Sequence, residues 1–318
     1  MNSSKLNLNL RTSWPAGASF ILLVFFATLS LYASTYTVIL LTSIFMYIIL
    51  TVSWVIFSGP TGYISFAPAA FFGVGIYTSA VLGTELPLPL VILTGGVVSF
   101  ILALFVGALT LRLKGVYFTM FTLGLVELSK HLLLWYEIKY TGTRGRFVIL
   151  VDNNTIYYIM LTILVLLLLT TYLIRRSRFG LALRSIGESE EASAHLGVNV
   201  NLLKTITFAF SAVFMGATGA IMATRWTYVD PYIAFKLHYS FMPVLMSVFG
   251  GMGQLYGPVL GAGIFAILEE LLITKFPYYY MFTIGLILLI VIVYLPNGLV
   301  GLIQKWQKRN PEEQHANP

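Results

Sequence analysis

The chain has 318 residues, of which 58% are hydrophobic and only 10% are charged, a surplus of apolar side chains that one soluble core of this size cannot bury. It contains no cysteine, which excludes disulfides, thiolate metal sites and cysteine nucleophiles, and its four histidines lack a spacing typical of a metal site. The net charge of +7 fits Lys and Arg retained at the cytoplasmic face of a membrane, so we expect contact with lipid and none with nucleic acid.

Continuous apolar runs, most of them near the roughly 20 residues that span a bilayer as helix, predict an all-α, polytopic membrane bundle of about ten helices. The predicted segments are Pro15–Ala33, Thr35–Phe57, Gly62–Leu82, Leu88–Leu111, Val116–Trp135, Ile156–Ile174, Leu203–Thr224, Leu237–Phe249, Tyr256–Ile273 and Tyr278–Leu295. We interpret the first as an uncleaved helix, because further spans follow at once. The third is interrupted by Gly and Pro and the eighth is short, which leaves eight or nine spans as the alternative.

The distribution of Lys and Arg predicts the orientation. With the N-terminus inside, twelve of the nineteen basic side chains fall on the cytoplasmic side and seven on the outer side. This bias favours cytoplasmic N- and C-termini in a multi-pass plasma-membrane protein. We expect residues 1–304 to form the transmembrane permease domain and the polar residues 305–318 to form a disordered cytoplasmic tail.

The backbone from Gly59 to Gly75 contains six Gly or Pro residues in seventeen, too many for an uninterrupted helix. Broken backbone at membrane depth persists only where protein or a water-filled cavity covers it. We therefore predict that this segment lies beside a translocation path; close packing of helices at the small residues is the alternative. The predicted path residues, apolar side chains with sparse polar contacts, are Thr61, Gly62, Ser65, Phe66, Phe71, Phe72 and Gly73.

Ionisable residues lie within two predicted spans. Glu127, Lys130 and His131 have spacings of three and four, which place them on one helical face. Such groups are costly in a membrane and are candidates for function, but pairing between Glu127 and Lys130 is the simpler interpretation. We interpret the pair Glu269 and Glu270 in the same way.

The longest polar connection that we expect to face inward, Arg175–Leu202, predicts two short helices. Phe179–Gly187 has helical spacing of its apolar residues, and a second helix beginning at Glu188 ends at Gly197. Acidic residues at the start of this second helix favour the helix dipole. The pair suits docking into a groove on a soluble partner; an amphipathic linker between two spans is the alternative.

The Gly-rich turn from Phe249 to Pro258 lacks the Lys-Ser/Thr of a phosphate-binding loop. We find no nucleotide site, no catalytic constellation and no metal site in the sequence. The chain is therefore predicted not to be an enzyme, and if ATP drives it, a separate ATPase polypeptide binds the nucleotide.

Five groups of residues, taken in order from about Tyr47 to Gln304, resemble the LivM-type permeases of branched-chain amino acid ABC importers. They are Gly62–Ser65 with Ala69–Tyr77, Lys114–Phe118 with Thr122 and Leu123, Ser177–Gly180 with Ala182–Ile186 and His195–Val200, Gly250–Gly253 with Gly257–Ala262, and Leu295–Leu299. In addition, Glu191-Ala192-Ser193 followed by Gly197 is similar to the coupling motif of importer permeases, with Ser193 in place of an alanine.

The resemblance implies a bundle related to the vitamin B12 importer type, and it favours the docking interpretation of Arg175–Leu202. It implies partners as well: two ABC ATPase subunits that bind the ATP, a second permease of LivH type, and an extracytoplasmic solute-binding protein. The coupling residues implied for this loop are Arg178, Phe179, Gly180, Glu190, Glu191, Ala192 and Gly197.

Two regions depart from the family's pattern. Ala67-Pro68 stands where Gly-His is usual, and the outer loop Thr141–Gly145 carries Arg144 in place of a neutral stretch. We predict a permease subunit of an ATP-driven importer for a small polar solute, most simply a branched-chain amino acid. The alternatives are another cargo, such as urea, a short amide or a sugar, or a self-contained channel or secondary carrier.

Overall fold

The computed structural model describes residues 23–30, 32–113, 115–294 and 298–301. Residues 23–30 and 298–301 are helical. The other α-helices, labelled in chain order, are α1 (Thr35–Thr61), α2 (Pro68–Leu82), α3 (Leu88–Thr110), α4 (Val116–Tyr136), α5 (Asn153–Arg176), α6 (Arg178–Glu188), α7 (Glu190–His195), α8 (Val200–Ala223), α9 (Pro231–Ala234), α10 (His238–Gly250), α11 (Tyr256–Lys275) and α12 (Tyr280–Tyr294).

The predicted class, a helical polytopic membrane protein, is confirmed. Among the described residues, six helices are long and apolar enough to cross a membrane. They are α1, α3, α5, α8, the run Pro231–Gly250 that contains α9 and α10, and α11. The first half of the first predicted segment, residues 15–22, and the predicted tail, 305–318, lie outside the described residues.

The third predicted segment, Gly62–Leu82, was wrong at its start. Residues 62–67 are not helical, and α2 begins only at Pro68, which occupies the first turn of the helix where its missing N–H costs nothing. The second segment, predicted to end at Phe57, continues to Thr61. Gly62 then ends α1 with a positive φ of 73°, a conformation that glycine adopts without steric cost.

Helix α8 lies at the centre of the bundle and packs along α2 and α3 at small residues. A Cβ added at Gly75 on α2 would clash with the carbonyl oxygen of Gly216 on α8. A Cβ at Gly219 would clash in the same way with the carbonyl oxygen of Phe72. Small side chains let membrane helices approach closely, and here they hold α2 against α8 along its length.

The bundle has two distinct ends. Helix α5, of 24 residues and about 36 Å, separates the α6–α7 pair from the loop after α4. That loop contains a π-helical turn, Glu137–Thr141, and a strand β1 (Arg146–Phe147), which pairs antiparallel with β2 (Tyr228–Val229). We call these the α6–α7 end and the sheet end.

The buried carboxylate of Glu137 organises the sheet end. The backbone N–H of Gly145 donates to Glu137 Oε2 at 2.8 Å, and the Tyr77 hydroxyl donates to the same oxygen at 3.3 Å. Arg146 lies 3.7 Å from the other oxygen. The loop between α4 and β1 is thus fixed to α2 by a charged group that is only 1% exposed.

Candidate functional site

The α6–α7 pair has the helical form that the sequence predicts, with shifted bounds. Ser189 lies between the two helices, so Glu188 belongs to α6 and the second helix begins at Glu190, not at Glu188. The Ser189 side chain caps α7 by accepting from the N–H of Ala192 at 3.3 Å. Gly197, at φ 84°, follows the end of α7, as predicted.

Helix α6 lies against the end of α1. Its residues Leu183 and Ile186 are buried, 1% and 2% exposed. A Cβ at Gly187 would clash with the carbonyl oxygen of Pro60, so this glycine permits backbone contact between α6 and the last turn of α1. The pair is therefore seated on the membrane helices and is not a loose linker.

Ser193, which replaces an alanine of the motif that this loop resembles, has a structural role. Its side chain is 1% exposed, and its single hydroxyl proton is shared between two acceptors, Ser185 Oγ on α6 at 3.0 Å and the Ser189 carbonyl at 2.9 Å. The hydroxyl holds α7 at a fixed angle to α6. The serine thus supplies a hydrogen bond between the two helices that an alanine could not make.

The other face of α7 is exposed. Glu191, Ala192 and Ala194 are exposed, and Leu196 exposes 80% of its surface. Among the other predicted coupling residues, Arg178 is exposed, Phe179 is half-buried and Gly180 is buried. The predicted residues are therefore divided between a surface that faces away from the bundle and a base that packs onto it.

A buried ammonium group joins α7 to the membrane helices. Lys204, on α8, is 1% exposed, and its Nζ donates to Glu190 Oε1 at 2.9 Å and to the Leu111 carbonyl at 3.2 Å. It also donates to the Tyr63 hydroxyl at 3.2 Å and lies 4.5 Å from the centre of the Tyr63 ring. The Tyr63 hydroxyl in turn donates to Glu190 Oε1 at 2.6 Å. We call Glu190, Lys204 and Tyr63 the junction.

The junction connects the two features that the sequence singles out. Glu190 is the first residue of α7, and Tyr63 lies in the non-helical segment 62–67. A lysine with so little exposed surface requires a paired carboxylate and further acceptors, and it has both. Lys204 is one of the twelve basic side chains counted on the cytoplasmic side, and the structure places it inside the protein.

The freed backbone groups of the non-helical segment are satisfied by side chains. Thr122 Oγ1 accepts from the N–H of Phe66 at 2.9 Å, and Trp54 Nε1 donates to the Ser65 carbonyl at 2.7 Å. Ser240 Oγ donates to the Phe66 carbonyl at 2.7 Å and accepts from the Ala69 N–H at 3.0 Å. The broken backbone is covered by protein, which meets the requirement for irregular structure at membrane depth.

The predicted path residues do not share one surface. Thr61 and Ser65 are buried, 4% and 2% exposed, while Gly62 is exposed. Phe71 and Phe72 are at most 1% exposed. The first packs on Phe208, with ring centres 5.3 Å apart, and the second on Tyr239 at 4.6 Å.

Of the remaining two, Phe66 is half-buried against Phe241, with ring centres 4.8 Å apart. Gly73 packs against Phe235, whose ring a Cβ at this position would meet at 2.6 Å. In this conformation most of the predicted path residues contact other helices. The part of the segment that reaches the surface is Gly62 and Ile64, the latter 48% exposed.

Two cavities flank the non-helical segment at the α6–α7 end. One, of about 540 Å³, lies between Gly62–Ile64, the start of α4 and α7, and the junction residues Tyr63 and Glu190 line it. The other, of about 580 Å³, lies between the end of α1, α6 and residues 252–254. Space on both sides of α6–α7 leaves room for this pair to move relative to α1.

Across the described ranges, no group of three His, Cys, Asp or Glu side chains is placed to hold a metal ion.

The ionisable face of α4 is paired as the sequence analysis expects. Glu127 forms an ion pair with Lys130 at 2.5 Å, and His131 lies 3.6 Å from the same carboxylate oxygen. Lys130 Nζ also lies 5.5 Å from the ring centre of Tyr232, beside α9. These contacts give the three residues a structural role at the sheet end.

The chain is similar to known permeases. A family model described as branched-chain amino acid transport system / permease component matches residues 36–292. The high-affinity branched-chain amino acid transport system permease protein LivM of Escherichia coli (strain K12) is 27% identical over 304 residues, covering 84% of this chain and 70% of that protein. LivM of Salmonella typhimurium is 26% identical over 301 residues, covering 82% of this chain and 69% of that protein.

A sugar permease is also similar over a shorter stretch. The ribose import permease protein RbsC of Haemophilus influenzae is 25% identical over 128 residues, 38% of this chain and 40% of that protein. No solved structure matches the chain significantly. The relatives are transport permeases and not enzymes. Since the family match at residues 36–292 covers well over half of the sequence, the chain belongs to the family of permease components of branched-chain amino acid transport systems.

Proposed function

We propose that the chain is the membrane-spanning subunit of an ATP-driven (ABC-type) importer that passes branched-chain amino acids into the cytoplasm. The observation that carries this proposal is the junction, in which one buried ammonium group joins the α6–α7 pair to the non-helical segment. Such a connection is what a permease needs if a separate motor is to move its membrane helices. The family and the LivM relatives support the amino acid cargo.

In this proposal, the exposed face of α7 docks into a groove on an ATPase subunit. Small side chains, Ala192 and Ala194, allow the ATPase to approach closely. Leu196 is exposed to water, which is unfavourable for an apolar side chain, and docking buries it. Two ATPase subunits bind the ATP, and this chain binds none. The α6–α7 pair therefore serves as the receiving surface for their motion.

The junction transmits that motion. A displacement of α7 moves the Glu190 carboxylate, and Lys204 follows it because a buried charge is costly without its paired carboxylate. Lys204 belongs to α8, which packs against α2 and α3 at glycines, so that a tilt of α8 is passed to both. Tyr63 passes the same displacement to the segment 62–67.

The proposed architecture has ten membrane spans of the vitamin B12 importer type, with both termini in the cytoplasm. The α6–α7 end then faces the ATPases, and the sheet end faces an extracytoplasmic solute-binding protein. A second permease of LivH type completes the path in the plane of the membrane. The separation of the two ends by α5 supports this orientation, as does the excess of basic residues at the α6–α7 end.

The translocation path runs beside the non-helical segment in this proposal. Thr61, Ser65 and Phe66 come to line it as the segment shifts, while Phe71, Phe72 and Gly73 stay packed and act as its support. The two cavities beside the segment favour such a shift.

A sugar is the second candidate cargo, favoured by the similarity to the ribose import permease. That similarity covers 38% of this chain, against 84% for LivM of Escherichia coli. The longer match gives the amino acid the preference.

Uptake by cells tests the cargo. A strain that lacks this chain should lose ATP-dependent uptake of labelled leucine, isoleucine and valine and regain it with the gene restored. Ribose in large excess should not compete. Normal uptake of all three amino acids in the deletion strain, or competition by ribose alone, would contradict the proposal.

Purification of the tagged chain should also bring down two ATPase polypeptides, and their absence would contradict the ATP-driven mechanism.

A further inference from the structure

A second group of polar side chains lies at the sheet end, along one face of α1. Tyr36, Ser43 and Tyr47 have spacings of seven and four and therefore share a face of the helix. Each contacts a polar side chain from another part of the chain. We call the group the polar track, and its members are Tyr36, Ser43, Tyr47, Arg225, Glu269 and Glu270.

The contacts within the polar track follow α1 in order. The Tyr36 hydroxyl donates to Glu270 Oε1 at 3.3 Å, and Arg225 Nη1 donates to Ser43 Oγ at 2.9 Å. Arg225 also interacts electrostatically with Glu270. At the helical rise of 1.5 Å per residue, the track extends about 16 Å from Tyr36 to Tyr47.

The inner end of the polar track, at Tyr47, lies close to the non-helical segment 62–67. His238 Nε2 lies 3.0 Å from the Tyr47 hydroxyl and 3.0 Å from Glu269 Oε1. The two residues after His238 contact the broken region: Tyr239 packs on Phe72, and Ser240 donates to the Phe66 carbonyl. The track thus leads from the sheet end to the start of α2.

Glu269 is not fully satisfied by these contacts. Its surface is only 5% exposed, and its Oε2 atom has no hydrogen-bond partner among the described residues. A buried carboxylate oxygen without a donor is costly, and it is retained where a ligand or function requires it. Oε2 is enclosed in this conformation, and it becomes available to a donor from outside the chain when the surrounding helices open.

The exposure of the other members also argues against a purely structural role. Tyr36 is 59% exposed, and Ser43, Tyr47, Arg225 and Glu270 are only half-buried. Charged groups along a membrane helix are stable only when they face water or protein, and not hydrocarbon. This face of α1 therefore requires water or a protein partner beside it.

We propose that the polar track binds the zwitterionic head of an α-amino acid on its way from the sheet end to the non-helical segment. The Arg225 guanidinium, which presents several donors in a fixed fork, binds the α-carboxylate. Glu269 Oε2 accepts from the α-ammonium group. This inference rests on the proposed function, and it adds a site for both charges of the solute within the membrane subunit.

Cysteine labelling tests the polar track in the complete transporter. Because the chain has no cysteine, Ser43→Cys gives it a single thiol. Val97→Cys is the matched control: Val97 is nine residues from the start of α3 at the same end and is 46% exposed on the bundle surface. Right-side-out vesicles are treated with the anionic 2-sulfonatoethyl or the cationic 2-trimethylammonioethyl methanethiosulfonate, and the mass of the isolated chain reports labelling.

The Ser43→Cys chain should react with both reagents. Because Arg225 lies beside the thiol, Arg225→Gln should lower the ratio of the anion rate to the cation rate about tenfold, and Arg225→Lys should keep the ratio. Leucine at saturating concentration should slow the reaction, whereas leucinamide, which lacks the carboxylate, should not, and Arg225→Gln should abolish the protection by leucine. The Val97→Cys chain should react with neither reagent.

A Ser43→Cys thiol as unreactive as that of Val97→Cys would overturn the inference, and so would protection by leucine that survives Arg225→Gln. Uptake of labelled leucine by wild-type vesicles separates this result from the proposed function. If those vesicles import leucine while leucine leaves the labelling unchanged, the polar track fails alone. If they import no branched-chain amino acid, the proposed function fails, and this inference fails with it.

Discussion

The Glu190 carboxylate lies 2.9 Å from the Lys204 ammonium, and this ion pair joins the first residue of α7 to the interior of α8. The lysine is 1% exposed, whereas the Glu190 side chain keeps 23% of its surface exposed. The pair therefore has one partner inside the bundle and one at the edge of a cavity. Movement of the edge partner is opposed by the cost of leaving the inner charge unpaired.

Removal of the carboxylate should destabilise the protein. We expect Glu190→Ala to lower the free energy of unfolding by about 3 kcal/mol. This value lies near the lower end of the range of costs for removing one partner of a buried ion pair, because Glu190 is partly solvated. Thermal unfolding of the detergent-solubilised chain measures the change. Glu191→Ala is the control, since its side chain is exposed, and it should leave the midpoint unchanged.

The double variant Glu190→Ala with Lys204→Met should recover most of that loss, because it leaves no charge unpaired. It should not recover transport. Equal destabilisation by the Glu190 and Glu191 variants would contradict the contact as the structure describes it.

Gly187→Ala should separate α6 from α1. The added Cβ would clash with the Pro60 carbonyl oxygen, which is backbone and cannot rotate away. We expect uptake of the labelled solute to fall at least tenfold while the chain remains in the membrane, measured by uptake and by immunoblot of the membrane fraction. Gly253→Ala, at the same end of the bundle, has open space for its Cβ and should transport normally. Normal transport by both variants would show that the contact between α6 and α1 is dispensable.

The non-helical segment should show alternating access of its residues to solvent. Ile64 is 48% exposed and its neighbour Ser65 is 2% exposed. In the state described here, Ile64→Cys should react with a small polar thiol reagent and Ser65→Cys should not. If the segment moves during transport, a change in the ATPase's nucleotide state should raise the reactivity of Ser65→Cys. Thr61→Cys and Ala69→Cys, also buried, provide two further positions for the same measurement.

If Ser65→Cys, Thr61→Cys and Ala69→Cys all stay unreactive in every nucleotide state, the segment serves only to pack helices. That result would remove it from the translocation path and leave the rest of the fold unaffected.

The two ends of the bundle should lie on opposite sides of the membrane. An epitope inserted at Gly142, in the loop after α4, should be accessible from outside intact cells, and one inserted at Gly197 only after permeabilisation. Gly142 and Gly197 both lie in turns with open space around them, so the insertions should be tolerated. Access to both epitopes from the same side would contradict the passage of α5 through the membrane.

Much of this fold could be predicted from the sequence because membrane helices leave a strong and local signal. The bounds of α3, predicted as Leu88–Leu111 and found as Leu88–Thr110, depend only on a run of apolar residues. The non-helical residues 62–67 could be predicted as a break from Gly62 and the flanking Pro60 and Pro68, but the place where α2 begins could not. That place depends on Thr122 and Ser240, which come from distant helices and satisfy the freed backbone groups.

The candidate site was only partly predictable for a related reason. Glu190 was singled out from the acidic start of a short helix, a local pattern. Its partners Lys204 and Tyr63 are 14 and 127 residues away in the sequence. The signal that could have identified Lys204 is its place inside an apolar helical repeat between Leu203 and Ile206, where a solvated cation is unfavourable. No local pattern connects Arg225 to Ser43, and only the packed structure brings them together.

The coupling role of the junction is tested most directly by measuring ATP hydrolysis and leucine import together in vesicles that contain the complete transporter. The variant is Tyr63→Phe, which removes the hydroxyl that contacts both Glu190 and Lys204 and keeps the ring in place. Tyr140→Phe, an exposed tyrosine at the sheet end, is its control. We expect Tyr63→Phe to hydrolyse ATP at nearly the wild-type rate but to import several times less leucine per ATP, and Tyr140→Phe to match the wild type. An unchanged ratio of leucine imported to ATP hydrolysed in Tyr63→Phe would contradict the junction as the element that couples the two.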